Sequence, residues 1–483
     1  MSGIAFYETN NKKLLNDTLS VLKHRGRNCK RIIEKGTNIM GITTNAKKNS
    51  INKVASENND TGIVVDGWIY NGKKLDEFTE RFMNRDYSFL EDIEGIFSLM
   101  IAGKDNYLIA RDPFGTKPLY YGEIDNKLFF ASEMKAIVPF TDTVEEFPPG
   151  HYYTPDKGFQ RYFSIEILSK RVNKITNTEK ASEIVKEAIY NAVKKRLDHF
   201  RKKPVIFLSG GLDSSCVAAA VAKQVKNVKS FAVGNKNSED LKYARKVAKK
   251  LGLNHHEYKY DREEMLKILP DVIYYLESFD ESLVRSAIPN FLVAKLAKNN
   301  NGKIVFMGEG SDELFGGYHY LKNLSLPEME KEMINLTNSG HHMGFQRDDR
   351  MNISNGLEYD VPFMDKQVVE SALSIPADWK IFGKEEKIEK WILRKAYEDE
   401  LPKEVVWRKK DQFSKGAGSS ENIESYASEI ITNGEFKNER HISDKVTLRS
   451  KEELFYYRIF KKFFPYKRNA EIVGRWEPLM VTV

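Results

Sequence analysis

Pro204-Val205-Ile206-Phe207-Leu208-Ser209-Gly210-Gly211-Leu212-Asp213-Ser214-Ser215 is the stretch on which the fold turns. Its first five residues read as a buried strand, and the small and apolar residues over 215–225 predict a helix. A strand that passes through a glycine turn into a helix places that turn at the carboxyl end of a sheet strand, where open α/β sheets bind ligands. The two glycines let the backbone approach a ligand without Cβ interference. Loop amides and the helix start then face an anion, and Ser209, Ser214 and Ser215 add donors. Asp213 would repel a bare phosphate, so its natural task is to hold Mg²⁺ against one. A glycine turn with a serine cap would explain the glycines, but not the strand and helix on either side. The run has neither the lysine of a Walker loop nor the spacing of a dinucleotide fingerprint.

Working outward, Ala181, Ile184, Val185, Ala188, Ile189, Ala192 and Val193 recur at helical spacing and predict a helix over 179–200. Strands follow over 228–233 and 303–307, with a helix over 240–251. This alternation predicts a parallel α/β sheet. The region 385–470 reads as mostly helical, and Ser450 with Glu453 is a capping-box pattern at the start of its final helix. The first 165 residues differ. Ile63-Val64-Val65, Phe97-Ser98-Leu99-Met100-Ile101 and Tyr107-Leu108-Ile109-Ala110 are short strand-like runs, punctuated by glycines and by the turn Pro148-Pro149-Gly150. A polar connection over 165–178 separates the halves, giving domains at 1–165 and 179–483.

Composition narrows the classes. The 483 residues, 41% hydrophobic and 30% charged, suit a globular chain of two or three domains. The net charge of +7, from 76 basic and 69 acidic residues, is too even for a nucleic-acid binder. The one basic group, Lys461, Lys462, Lys467 and Arg468, reads as a solvated face. No apolar run is long enough for a membrane helix, and the N-terminus lacks a secretory pattern. Cys29 and Cys216 can build neither a disulfide framework nor a metal cluster. The expected compartment is the reducing cytoplasm, with no nucleic-acid or membrane partner.

A second cluster follows another apolar strand: Gly308-Glu309-Gly310-Ser311-Asp312-Glu313-Leu314-Phe315-Gly316-Gly317-Tyr318. Three carboxylates in five residues repel one another without a cation. Asp213 and Asp312 together are therefore expected to clamp Mg²⁺ on a pyrophosphate.

The first loop resembles the pyrophosphate loop of ATP pyrophosphatases, which cleave ATP between its α and β phosphates and adenylate a substrate. The second cluster resembles the signature of glutamine-dependent, B-type asparagine synthetases. So do Trp407-Arg408-Lys409-Lys410-Asp411-Gln412-Phe413-Ser414, Arg347-Asp348-Asp349-Arg350-Met351, Val361-Pro362-Phe363-Met364-Asp365 and Glu389-Lys390-Trp391-Ile392-Leu393-Arg394. In the N-terminal half His24-Arg25-Gly26, the run from Arg111 to Tyr121 and Ala131-Ser132-Glu133-Met134-Lys135-Ala136 extend the resemblance over nearly the whole chain. It implies an N-terminal αββα sandwich of the Ntn type, built like a class II glutamine amidotransferase. A C-terminal ATP pyrophosphatase domain with a parallel sheet and a helical end would follow.

The activity implied is aspartate to asparagine through a β-aspartyl adenylate, with ATP and Mg²⁺. The resemblance assigns Leu208, Ser209, Gly210, Gly211, Asp213, Ser214, Ser215, Val233, Gly308 and Ser311 to the nucleotide, and Asp213 and Asp312 to the metal. It assigns Lys410 to charge on the α-phosphate during adenylation, and Glu309 to the amide-forming step. Ser282 and Arg285 fall to the substrate, an arginine fork suiting a carboxylate.

Several positions depart from the family. Class II amidotransferases use a cysteine at position 2 and its α-amine as base; here the residue is Ser2. Their oxyanion-stabilising Asn-Gly is Asp66-Gly67, a carboxylate that would repel developing negative charge. The arginine expected over 41–45 is absent, and so is the Ser-Asp segment expected between Asn71 and Asp92. The first domain is thus read as degenerate, a scaffold without glutaminase activity. The implied partners are aspartate and ammonia, the latter from solution or from a separate glutaminase, with a second copy of the chain as a candidate homodimer partner. The family arginine before Val-Pro-Phe is Asp360. That exchange is either a surface rearrangement or the mark of a changed substrate. The competing readings are a related adenylating ligase or cyclising synthetase with another carboxylate or amine, a non-catalytic regulator, and an RNA-modifying enzyme. Retention of Asp213, Asp312, Glu309 and Lys410 speaks against the regulator, and the even charge against RNA.

Overall fold

The computed structural model describes residues 2–70, 72, 74–383, 386–409 and 416–476. The chain divides into two compact units. The first is Met1–Ser164 with Ile273–Glu281 and Ala427–Arg475; the second is Ile165–Val272 with Ser282–Tyr426 and Trp476–Val483.

Among the described residues, the part of the first unit up to Ser164 carries twelve strands in two six-stranded sheets. They are β1 Ser2–Tyr7, β2 Cys29–Lys35, β3 Asn38–Thr44, β4 Ala55–Glu57, β5 Gly62–Ile69, β6 Gly95–Ala102, β7 Tyr107–Arg111, β8 Tyr120–Ile124, β9 Lys127–Ala131, β10 Val144–Glu146, β11 His151–Thr154 and β12 Gly158–Arg161. One sheet runs β10-β8-β9-β1-β3-β2 and the other β12-β11-β7-β6-β5-β4, with antiparallel neighbours throughout. Side chains alternate across a strand, and the alternation makes four layers. Ile4, Phe6, Met40, Ile42, Val64, Met100, Ile109 and Phe130 pack between the sheets. Ile63, Val65, Leu99 and Ile101, one residue out of step, bury Phe78 and Phe82 of helix α2 (Leu75–Met83) on the opposite face. Helix α1 (Lys12–Val21) covers β1 and β3 through Leu15 and Leu19. This is the αββα sandwich that the resemblance implied.

The segment 427–475 adds helices and a small hairpin to this unit. Ser450 caps the helix Lys451–Phe460, accepting from Glu453 N at 3.0 Å. Only half of the expected capping box forms, because the Glu453 carboxylate accepts from Arg449 N instead. A further helix, Lys467–Glu471, follows, so the capped helix is not the last.

The second unit is a five-stranded parallel sheet, ordered β15-β14-β13-β16-β17. Its strands are β13 Val205–Phe207, β14 Lys229–Gly234, β15 Asn254–Lys259, β16 Ile304–Phe306 and β17 Glu358–Asp360. Its helices include α3 Ile165–Arg171, α4 Thr178–Phe200, α5 Leu212–Ala222, α6 Glu239–Leu251, α7 Arg262–Leu276 (its last turn in the first unit), α8 Glu281–Asn299, α9 Ser311–Phe315, α10 Leu326–Ser339 and α11 Gly344–Ser354. Part of the polar connection predicted over 165–178 is thus the helix α3. Helix α5 starts at Leu212, three residues before the apolar pattern suggested, because Gly211 is its N-cap. Asp213, Ser214 and Ser215 therefore stand in a helical first turn rather than in a loop. No helix among the described residues is long and apolar enough to cross a membrane.

Candidate active site

In the order β15-β14-β13-β16-β17, the crossovers from β13 and from β16 leave toward opposite edges of the sheet. The turns that follow these two neighbouring strands emerge side by side at their carboxyl ends, the topological switch point. The turns touch. A Cβ on Gly308 would stand 2.8 Å from the Asp213 carbonyl carbon and from Ser214 N. In the first turn Gly210 has φ +74°, and a Cβ there would meet Ala244 N of α6 at 2.5 Å. Leu208 N donates to Phe231 O at 2.9 Å, tying the turn to β14. Gly211 N donates to Ser209 Oγ at 3.3 Å, and the Ser209 and Ser214 hydroxyls lie 3.1 Å apart. Ser215 turns away, donating to Gly211 O at 2.6 Å. Ser311 Oγ donates to Asp213 Oδ1 at 2.8 Å and so joins the two turns. Val233 lies near the carboxyl end of the adjacent β14.

The cation that the acidic cluster demands belongs to the chain. Lys390 Nζ donates to both oxygens of Asp213 at 2.6 Å and lies 2.5 Å from Asp312 Oδ1. Lys390 is only 3% exposed, against 24% for Asp213 and 22% for Asp312. Burial alone would lower its pKa, but the two carboxylates more than offset that and hold it above the usual lysine range. Gly317 makes the room, since a Cβ there would fall on Asp312 Oδ1 and the Lys390 side chain. Lys390 lies within one of the runs that resemble the family, and the resemblance assigns it no role. Its only local signal is a lysine directly before a helix rich in apolar residues. Asp213 and Asp312 offer hard oxygen donors, partly open to solvent, which fit Mg²⁺.

The remaining predicted residues are placed unequally. Glu309 pairs with Arg347 of α11 and lies against Gly344, where a Cβ would stand 2.9 Å from Oε2. Ser282 is exposed, and Arg285 donates to Glu424 at 3.3 Å rather than standing open to a substrate. Lys410 lies outside the described residues. The chain on either side of it is anchored near the carboxyl end of β14. Arg408 pairs with Asp240 at 3.0 Å and stacks on Tyr243 at 4.2 Å. Gly416 O accepts from Ser238 Oγ at 2.8 Å, and Ala417 O accepts from Asn235 N at 3.0 Å.

Asp360 is no surface rearrangement. It is fully buried, and Arg196 Nε of α4 donates to its Oδ1 at 2.5 Å while Nη1 donates to Asp365 at 2.7 Å. A positive charge thus stands beside Val-Pro-Phe, supplied by α4.

The corner of the first unit around Ser2 is closed. Arg25, Asp66 and Glu133 have no exposed side-chain surface. Arg25 donates to Asp66 Oδ2 and Glu133 Oε1 at 2.7 Å each, and to Ser2 O at 2.8 Å. Ser2 N donates to Asp66 Oδ1 at 3.2 Å. Lys135 continues the network from Glu133 at 2.7 Å to Glu277 at 2.9 Å.

Two family models match the chain. The asparagine synthase family model matches residues 184–337 and 326–481, and the glutamine amidotransferase domain model matches residues 1–176. The glutamine-hydrolyzing asparagine synthetase of Sandersonia aurantiaca is 36% identical over 401 residues, 78% of this chain and 75% of that one. That of Triphysaria versicolor is 34% identical over 85% of this chain and 76% of its own. The nodule enzyme of Pisum sativum is 33% identical over 92% of this chain and 82% of its own.

Proposed function

The chain belongs to the asparagine synthase family, and from that footing we propose that it is an ATP-dependent, AMP-forming ligase making asparagine from aspartate, with free ammonia as nitrogen donor. We read residues 1–165 as its amidotransferase-like domain and 179–483 as its synthetase domain, although residues 427–475 of the latter fold as part of the first compact unit. A carboxylate is a poor electrophile because oxide is a poor leaving group. Attack of the aspartate side-chain carboxylate on the α-phosphorus of ATP expels pyrophosphate and gives an acyl adenylate. Ammonia then attacks the acyl carbon, and AMP leaves.

The observation that carries this reading is the convergence of Asp213 and Asp312, from two turns at the switch point, on the buried ammonium of Lys390. Residues 208–215 would cradle the pyrophosphate, with Val233 beside the adenine and Gly308 and Ser311 closing the second side. Mg²⁺ on Asp213 and Asp312 would neutralise charge on the pyrophosphate. Lys410 would offset charge on the α-phosphate as the carboxylate attacks. Ser282 and Arg285 would bind aspartate, Arg285 exchanging Glu424 for the substrate carboxylate. Glu309 would take a proton from the attacking amine. Pairing of Asp360 with Arg196 removes the reason to look for a different acceptor.

Ammonia is favoured over glutamine by the Ser2 corner. Asp66 stands where an oxyanion would need a donor, and its charge is bound to Arg25. An α-amine freed at Ser2 would face that same carboxylate, which favours its protonated form and weakens it as a base. The test is purified protein with ATP, Mg²⁺ and aspartate, given ammonium or glutamine, with AMP, pyrophosphate and asparagine followed by mass spectrometry. Asparagine with ammonium alone is expected. Asparagine from glutamine at a comparable rate would overturn the donor assignment, and no AMP in either case would overturn the ligase.

A further inference from the structure

Behind Glu309 lies a buried polar chain that the adenylation chemistry does not use. Arg347 pairs on one side with Glu309 and on the other with Asp348, its Nη2 lying 3.2 Å from Asp348 Oδ1. Asp348 is fully buried, and the same Oδ1 accepts from Asn290 Nδ2 of α8 at 3.3 Å. Its other oxygen, Oδ2, has no hydrogen-bond partner, and neither has Asn290 Oδ1. Buried polar atoms are rarely left so.

Three elements face this carboxylate. Helix α11 supplies Arg347, while Asp349 and Arg350 of the same helix pair with each other at 3.1 Å. The short helix α9 supplies Glu313, which accepts from the Tyr318 hydroxyl at 2.6 Å. Helix α8 supplies the neutral Asn290. Burial is the largest influence on Asp348 and, with Glu313, raises its pKa to about 7, against the lowering effect of Arg347 and Asn290. An acid in that range has an oxygen lacking a partner, which a bound proton would turn into a donor.

We propose that Asp348 is a positioning residue for the amide-forming step, sharing Arg347 with Glu309 and so setting how firmly Glu309 is held as its ionised form. The inference rests on the reading that Glu309 serves that step. With Asp348 ionised, the guanidinium is divided between two carboxylates. With Asp348 neutral, Arg347 belongs to Glu309 alone, which favours the charged Glu309 and makes it a weaker base. The proton Glu309 accepts comes from the ammonium group of the tetrahedral adduct, and AMP departs with the electron pair of the acyl–oxygen bond. Asp348 exchanges its own proton with solvent and enters no covalent step.

The test measures kcat/KM for ammonia, expressed per unhydrated free NH3, from pH 6 to 8.5 at saturating ATP and aspartate, with pyrophosphate exchange measured alongside. The wild type is expected to rise about fivefold across neutrality. Asp348→Asn should be flat, near the low-pH level of the wild type, with its exchange unchanged. Asn290→Ala removes a donor to the charged carboxylate and should move the wild-type rise to higher pH. It also keeps the test open if Asp348→Asn folds poorly. An identical pH profile in Asp348→Asn, or an unmoved midpoint in Asn290→Ala, overturns the proposal. Failure of exchange in the wild type would instead overturn the ligase reading beneath it.

Discussion

Both units of the chain place a buried cation between two carboxylates, with opposite consequences. In the first unit Arg25, Asp66 and Glu133 are all sealed, and each guanidinium nitrogen is spent on a fixed acceptor. In the second, Lys390 is sealed while Asp213 and Asp312 remain about a quarter exposed. A planar fork between buried carboxylates makes a permanent joint. A single ammonium beside carboxylates that stay partly exposed leaves those acids within reach of a metal or phosphate-bound water. The same ingredients make a sealed core in one place and a partly open candidate site in the other, and the difference lies in solvent access to the acids.

The sharpest way to break this comparison is Arg25→Ala. It leaves Asp66 and Glu133 buried without their shared cation, and about 3–5 kcal/mol of stability should go with it. Urea unfolding of the full chain reads the loss. A change under about 1 kcal/mol would mean that water reaches the corner, and the first unit would no longer be the sealed one.

Lys390→Ala probes the open side. Asp213 and Asp312 lose their internal counter-charge, and aspartate-dependent pyrophosphate exchange should fall about a hundredfold or more. Added Mg²⁺ should raise the melting temperature of this variant more than that of the wild type, because the cation then replaces a missing charge. Equal shifts in both proteins would show that these carboxylates are not where the cation acts.

Arg196 and Asp360 sharpen the point within the second unit. Asp360→Arg sets two guanidinium groups against each other in a buried position, and adding Arg196→Asp should recover stability. The coupling in the double-mutant cycle should be on the order of 1–3 kcal/mol. Additive losses would mean that the charge exchange across α4 and β17 is incidental.

These cases show where the sequence was legible. Apolar runs followed by glycines marked β13 and β16 and the two turns after them, whereas the order of the strands in the sheet, and with it the switch point, came only with the fold. The departures around Ser2 were also visible, because each replaced a chemically required side chain. The partners were not. Arg196 sits four residues after Ala192 and so occupies a core slot of the α4 pattern, a signal present but unread. Lys390 is more than seventy residues from Asp312 in the chain, and only the fold brings it there. The start of α5 was misplaced because a glycine cap carries no apolar signature, and Asp213 was therefore expected in a loop. Ion pairs between distant segments obey no spacing rule, and that is why the acids of both corners were identified before their cations.

The smallest expected effect is that of Ser2→Ala, and it tests the closed corner most directly. The Ser2 hydroxyl donates to Thr44 Oγ1 at 3.1 Å, while its backbone groups carry the contacts to Asp66 and Arg25. Alanine removes the hydroxyl and keeps both backbone contacts, so about 1 kcal/mol of stability is at stake. Ammonium-supported asparagine formation should be unchanged, since no step of it passes through Ser2. Glutamine-supported formation should be negligible in both proteins. If the wild type uses glutamine and Ser2→Ala abolishes that use, the hydroxyl is a nucleophile and the Arg25–Asp66 joint must open during turnover. The distinction between a sealed core and an open site would then become one between two sites, one of them gated.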